Sequence, residues 1–199
     1  MPFPTIAWCA DMLKASVIFL DNQEPYRKMT FRNKYEIATA NGRLKLSIPL
    51  LNGRNQRVPM SEVQIFNEEN WQQQHYKSIK NAYNRSPFFE YYEPSLQDLL
   101  LKKHQYLVDL NMSLVQWLEK QLKMSFNISQ TNDLIPFLDP NYKDVRDLSN
   151  LEITTQNLVN QVYPQVFMDK IDFISNASIL DLLFCMGPTS IIYLKDSDL

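Results

Sequence analysis

Lys34-Tyr-Glu-Ile-Ala-Thr-Ala-Asn-Gly-Arg-Leu-Lys-Leu-Ser-Ile48 holds an Asn41-Gly42 step between two alternating runs, the strongest short-range signal for a β-hairpin. With Asn41 and Gly42 as the central pair, Ala40 falls opposite Arg43, Thr39 opposite Leu44, Ile37 opposite Leu46 and Tyr35 opposite Ile48. Apolar side chains then meet across one face, while Ala38 meets Lys45 and Glu36 meets Ser47 on the other. If the extended chain continues backward, Tyr26, Lys28, Thr30, Arg32 and Lys34 share that polar face, because strand side chains alternate with period two. The expected result is a basic stripe on a sheet.

Upstream, Pro4–Trp8 reads as a short opening strand, Cys9–Ala15 as a short helix or turn, and Val17–Leu20 as a buried strand ending at Asp21-Asn22-Gln23. That order suggests a β-α-β start, with Asp21 at a strand's carboxyl end, where α/β proteins gather ligands. Downstream, Met60–Asn67 gives a strand through Val63 and Ile65. Asn67, Glu68 and Glu69 then open a helix running to about Tyr83. Trp71, His75, Ile79 and Ala82 fall on one face of it, so His75 points inward.

Ser86-Pro87 breaks that helix, and Phe88, Phe89, Tyr91 and Tyr92 form an aromatic cluster before Pro94. Ser95 starts a leucine-striped stretch through Leu122, either a helix pair or one long helix bent near His104. Residues 127–150 read as a long surface loop. Ser178-Ile-Leu-Asp181 is a capping box for a helix that Gly187-Pro188 stops. The fold class is mixed α/β (α+β). A β-rich N-terminal part carries the antiparallel hairpin, a mainly helical C-terminal part packs on it, and residues 1–199 form one domain.

At 199 residues the chain is long enough to bury about 70 per cent of the surface exposed by its unfolded form. The 45% hydrophobic fraction excludes whole-chain disorder, and the longest apolar runs are too short and interrupted for membrane insertion. The start shows no secretory pattern, which predicts a cytoplasmic protein. Cys9 and Cys185 sit in apolar surroundings, suiting buried thiols better than a bridge or a metal site. Net charge is −2, but residues 27–57 carry eight Lys/Arg against one acid, whereas residues 133–199 carry ten acids against four bases. A local anion patch is expected, and not a nucleic-acid binder. Three glycines cannot build a phosphate-cradling loop, which removes P-loop and dinucleotide readings and leaves the cofactor unknown.

Several pieces in order resemble the WbqC-like family, small bacterial proteins associated with surface-polysaccharide gene clusters. They are Tyr26-x-Lys28, Arg32-Asn33-Lys34-x-x-Ile37, Asn41-Gly42 with Leu46-x-Ile48-Pro49, and Trp71-x-x-x-His75-x-x-x-Ile79 leading to Tyr83 and Pro87-Phe88-Phe89. Ser178-Ile179-x-Asp181-Leu182-Leu183-Phe184 with Gly187-Pro188 completes the set. Two positions depart from the family pattern: the opening has Pro4-Thr5-Ile6 where many members carry His-Gln-Pro, and Lys34 stands where an arginine is commoner. The resemblance implies a setting in bacterial cell-envelope sugar metabolism.

Candidate substrate-binding residues are Tyr26, Lys28, Arg32, Asn33 and Lys34. A guanidinium grips phosphate or carboxylate through two parallel hydrogen bonds, and the lysines add point charges. A phosphate-bearing small molecule or nucleotide sugar fits such a site; the bland alternative is a solvated sheet face. His75 is a candidate general acid or base with Asp21 orienting it, against the reading of a satisfied core histidine. Asp181 is read as the capping-box carboxylate, and the aromatic cluster as packing rather than a sugar platform. With the setting that the resemblance implies, these readings lead to the expectation of an O-antigen-type lipopolysaccharide biosynthesis transferase acting on a phosphate-bearing sugar or acyl donor. The alternative is a noncatalytic binding or scaffold protein of the same machinery.

Overall fold

Thr5 decides where the first helix begins. Its extended backbone and its hydroxyl, which accepts from the Trp8 N–H at 3.4 Å, cap α1 (Ile6–Lys14). The expected strand over Pro4–Trp8 is therefore corrected: the cap turns the chain into a helix that buries Ile6, Ala7, Cys9 and Ala10. The computed structural model describes residues 1–131 and 162–196.

β1 (Ile18–Asp21) lies where the sequence places a strand, but its partner is β4 (Ile128–Thr131), in parallel with Ile18 opposite Ile128. The expected β-α-β start is thus corrected. No N-terminal strand precedes β1, and the first residues of the expected 127–150 loop supply its neighbour. The remainder of that loop lies outside the described residues.

The hairpin forms from β2 (Lys34–Thr39) and β3 (Gly42–Ser47), two residues out of the expected register: Thr39 faces Gly42, Ile37 faces Leu44 and Tyr35 faces Leu46. Only Gly42 takes a left-handed φ, at +92°, whereas a central Asn-Gly pair would need both residues there. Ala40 and Asn41 are instead the central pair. The Thr39 hydroxyl secures them by accepting from the Asn41 N–H and donating to the Gly42 carbonyl. A slip of two preserves both faces. It brings Glu36 opposite Lys45, and the two form an ion pair at 3.2 Å.

The backward continuation of the strand does not form. Phe31–Asn33 is a 3-10 turn, and Met29 adopts φ +65°. Alternation is lost there, so Tyr26, Lys28 and Arg32 do not share a face with Lys34 by strand geometry. Nor is Met60–Asn67 a continuous strand: Met60–Glu62 is a 3-10 turn, followed by single bridges from Ile65 to Leu50 and from Gln64 to Tyr106.

α2 (Trp71–Tyr83) buries Trp71, His75, Ile79 and Ala82 as their spacing predicts. It starts at Trp71 and not nearer Asn67, whose amide donates to the His104 carbonyl and accepts from Gln72. The aromatic cluster belongs to a helix: α3 (Phe89–Leu101) begins before Pro94, which sits inside it on an exposed surface. The Ser95 hydroxyl bonds back to the Tyr92 carbonyl beside the missing proline N–H. α3 and α4 (Leu107–Leu122) form a pair, joined by a turn at His104. α5 (Ile179–Met186) follows Ser178, whose hydroxyl accepts from the Leu180 N–H, and α6 (Ser190–Asp196) follows a 3-10 turn at Gly187–Thr189.

Asp181 departs from the expected capping box. Its carboxylate accepts from Tyr163 and Gln165 in the interior, because at 1% exposure it needs donors that the Ser178 backbone alone cannot supply. The Tyr83 hydroxyl accepts from the Ala38 N–H, which ties the outer edge of β2 to α2. The ends of the chain meet as well: the Ile6 N–H donates to the Ala177 carbonyl, and the Ile179 N–H to the Pro4 carbonyl. Among the described residues a shared apolar core runs through α1 to α6 and the hairpin.

Candidate functional site

An apolar cleft of about 240 Å³ opens where α1, β1, the Phe31–Asn33 turn, α4 and β4 converge. Trp8 and Met12 project from α1, and Phe31, Met60, Met112 and Val115 complete its walls. On α4 the contributors Val108, Asn111, Met112 and Val115 recur at helical spacing, beside the leucine stripe that enters the core. Methionine side chains, unbranched and polarizable, adapt such a wall to more than one shape.

Among the lining side chains charge is confined to Asp21, Glu24 and Arg32; Met1 also lines the cleft, and burial followed by the Arg32 charge lowers its α-amino pKa to about 6. Arg32 forms an ion pair with Glu24 through Nη2, and Arg27 Nε lies 3.8 Å from the same carboxylate oxygen. Both partners of the Arg32–Glu24 pair are largely shielded, at 12% and 10% side-chain exposure, so water screens them little. Asp21 ends β1, and its Oδ1 accepts from the backbone N–H groups of Gln23 and Glu24, holding the turn that presents Glu24. Asn111 Nδ2 donates to the Arg32 carbonyl, pinning α4 to the same turn.

The sequence-derived candidates separate into three groups. Arg32 and Asp21 line the cleft. Tyr26 and Asn33 are buried beneath it: the Tyr26 hydroxyl donates to Asn33 Oδ1 at 3.0 Å and Asn33 Nδ2 donates to the Ile48 carbonyl at 2.8 Å, locking the end of the hairpin. Lys28 and Lys34 lie outside the cleft lining. Lys28 is exposed and reaches Asn55 at 3.5 Å, while Lys34 is half-buried, and burial followed by the charges of Lys45 and Arg54 lowers its ammonium pKa.

His75 is in the core and not at the cleft. Its Nδ1 lies 3.0 Å from the Tyr35 hydroxyl, and its ring packs edge-on against Tyr35 and Trp71. Burial lowers its pKa to about 4, only partly offset by a hydrogen bond with the Ser47 backbone, so the ring is neutral at pH 7. Of the two candidate proton carriers, Asp21 alone touches the cleft.

Sequence reasoning missed Glu24 and the apolar walls. A signal for part of the wall existed in Val108, Met112 and Val115, which widen α4's apolar face beyond what the leucine stripe requires. Glu24 carried none, because only the turn after β1 brings it to Arg32. Among the described residues no group of three or more His, Cys, Asp or Glu is arranged to hold a metal ion, and no helix is long and apolar enough to cross a membrane.

Fold and site together define a mixed α+β protein with an apolar cleft whose charges are gathered around one ion-paired turn. The family model described as the WbqC-like protein family matches residues 1–150 of the 199, and the chain belongs to that family. No curated protein and no solved structure matches it.

Proposed function

We propose that this protein serves bacterial surface-polysaccharide biosynthesis as a transferase that holds a phosphate-bearing sugar or acyl donor at the cleft. One observation carries the reading: Arg32 and Asp21 border the same mainly apolar cleft. Two guanidinium groups, Arg27 and Arg32, approach one carboxylate, and phosphate oxygens suit a guanidinium that is held in place and shielded from water. Asp21 supplies a carboxylate able to take a proton from an acceptor amine or hydroxyl. Membership of the WbqC-like family supports the setting.

A second reading, a noncatalytic binding protein of the same assembly machinery, draws on the position of His75. The imidazole is neutral, bonded and shut in the core, so no histidine chemistry is available at the cleft without opening that core. Tyr26, Asn33, Lys28 and Lys34 act in both readings by shaping or charging the surroundings of Arg32.

The test is a thermal-shift panel of nucleotide sugars and acyl-phosphopantetheines with the wild type, Arg32→Lys and Asp21→Asn. At a hundredfold excess over Kd a ligand stabilises the folded state by about 2.7 kcal/mol. For a chain of this size that is a rise of roughly 5–10 °C. The expected pattern is a rise with at least one phosphate-bearing class that shrinks in Arg32→Lys. Asp21→Asn then removes turnover but not binding if the protein is a transferase, whereas binding without turnover in the wild type selects the second reading. A flat response to every phosphate-bearing ligand ends both.

A further inference from the structure

Resting on that cleft, we infer that the ligand portion entering it is an aliphatic acyl group, carried by a phosphate-bearing donor whose charged end stays at Arg32. The first support is the chemistry of the walls. Met12, Met60 and Met112 with Ile18, Val108 and Val115 offer thioether and branched aliphatic surface, while the polar side chains of the lining are Asp21, Asn22, Glu24, Thr30, Arg32 and Asn111 with the indole of Trp8. Apolar surface of this kind gains from removing methylene groups from water, and flexible methionines follow the shape of a chain.

The second support is what the polar groups at the cleft are already doing. Arg32 is paired with Glu24, Asp21 Oδ1 takes two backbone N–H groups, Asn22 bonds Gln130, the Thr30 hydroxyl donates to the Arg27 carbonyl, and Asn111 Nδ2 is committed to the Arg32 carbonyl, while Asn111 Oδ1 is enclosed without a partner among the described residues. A sugar ring placed among the aliphatic side chains would bury more hydroxyls than Asn111 Oδ1 can accept from, and each one left unbonded is costly. An acyl chain brings no such groups. Its only strongly polar part, the phosphate of its carrier, belongs where the guanidinium groups of Arg32 and Arg27 approach Glu24.

Isothermal titration with butyryl-, hexanoyl- and octanoyl-phosphopantetheine, phosphopantetheine alone, free hexanoate and UDP-N-acetylglucosamine decides the matter. Each methylene buried should tighten binding by up to about fourfold until the cleft is full, after which the gain stops. Met112→Trp on α4 and, independently, Met12→Trp on α1 should reduce the acyl donors to the affinity of phosphopantetheine, while Met112→Leu keeps them tight. Circular dichroism identifies which filled variant is folded, so either wall can give the answer.

Equal affinity for phosphopantetheine with and without its acyl chain overturns the inference while leaving the phosphate-binding reading standing. The same holds if UDP-N-acetylglucosamine binds and is lost in the filled variants. Free hexanoate binding as tightly as hexanoyl-phosphopantetheine overturns the phosphate-bearing carrier and with it the proposal. Silence from all six probes overturns both this inference and the reading of the cleft beneath it.

Discussion

The Tyr163 hydroxyl donates to Asp181 Oδ2 at 2.5 Å, and the same oxygen accepts from Gln165 Nε2 at 2.8 Å, in an interior where Asp181 is almost wholly enclosed. The Tyr83 hydroxyl of α2, which accepts from the Ala38 N–H of β2, has its pKa raised by burial and by the Asp181 charge. Gln165 also exchanges side-chain hydrogen bonds with both backbone groups of Ile174, so this carboxylate also steadies the approach to α5.

Tyr163→Phe removes one of two side-chain donors and should cost about 1–2 kcal/mol. Asp181→Ala strands both and should cost about 3 kcal/mol. Urea unfolding of both variants and their double mutant measures the coupling. A double mutant as damaging as the sum of the two singles would show that the hydroxyl and carboxylate do not act together.

His75 sets an acid limit on stability. Its folded pKa, lowered to about 4 by burial, lies below the ordinary 6.5, so between these values the unfolded chain binds the extra proton. This contribution is complete above pH 6.5 and is lost as pH falls toward 4, by on the order of 3 kcal/mol. His75→Gln should lower stability at pH 7 yet flatten that part of the pH–stability curve. An unchanged slope in the variant would remove the imidazole as the cause.

Gly187 and Gly42 test space against backbone. Both have positive φ, at +56° and +92°, but a Cβ at Gly187 would lie 2.5 Å from the Phe88 ring while one at Gly42 would meet nothing. Gly42→Ala should cost about 1 kcal/mol from conformation alone. Gly187→Ala should cost several times more, and Phe88→Ala in the same chain should recover part of the excess. Equal losses at the two glycines would refute the steric account.

Arg32→Ala removes the guanidinium paired with the shielded Glu24, leaves Arg27 Nε at 3.8 Å, and should destabilise the fold by about 3 kcal/mol. Replacing both partners, Arg32→Met with Glu24→Gln, should cost less than the single change because no uncompensated charge remains. Denaturation midpoints of the single and double variants make the comparison.

Legibility in the sequence followed the range of the interaction. The hairpin, the inward face of α2 and the leucine stripe of α4 are written in neighbouring residues, and each forms. The turn was misplaced by two because Asn41-Gly42 resembles a central pair, whereas the Thr39 hydroxyl selects Ala40 and Asn41. Pro94 concealed that α3 already begins at Phe89, since a proline past the first turn reads as a boundary. Arg32 was expected on the polar face of a strand, whereas a 3-10 turn aims it at Glu24. The cleft itself was illegible because its walls come from segments as distant as Trp8, Met60 and Met112.

The parallel match of Ile18 with Ile128 has a consequence for a nascent chain. Ribosomes add about 5–20 residues per second, so β1 waits roughly 5–20 s before β4 has even been synthesised. During that interval the cleft has no far wall, and Ile18 and Leu20 remain open to whatever chaperone or neighbour arrives first. Slow, late closure of this kind makes the yield of native protein in the cell sensitive to translation speed, even for variants whose finished structure is sound.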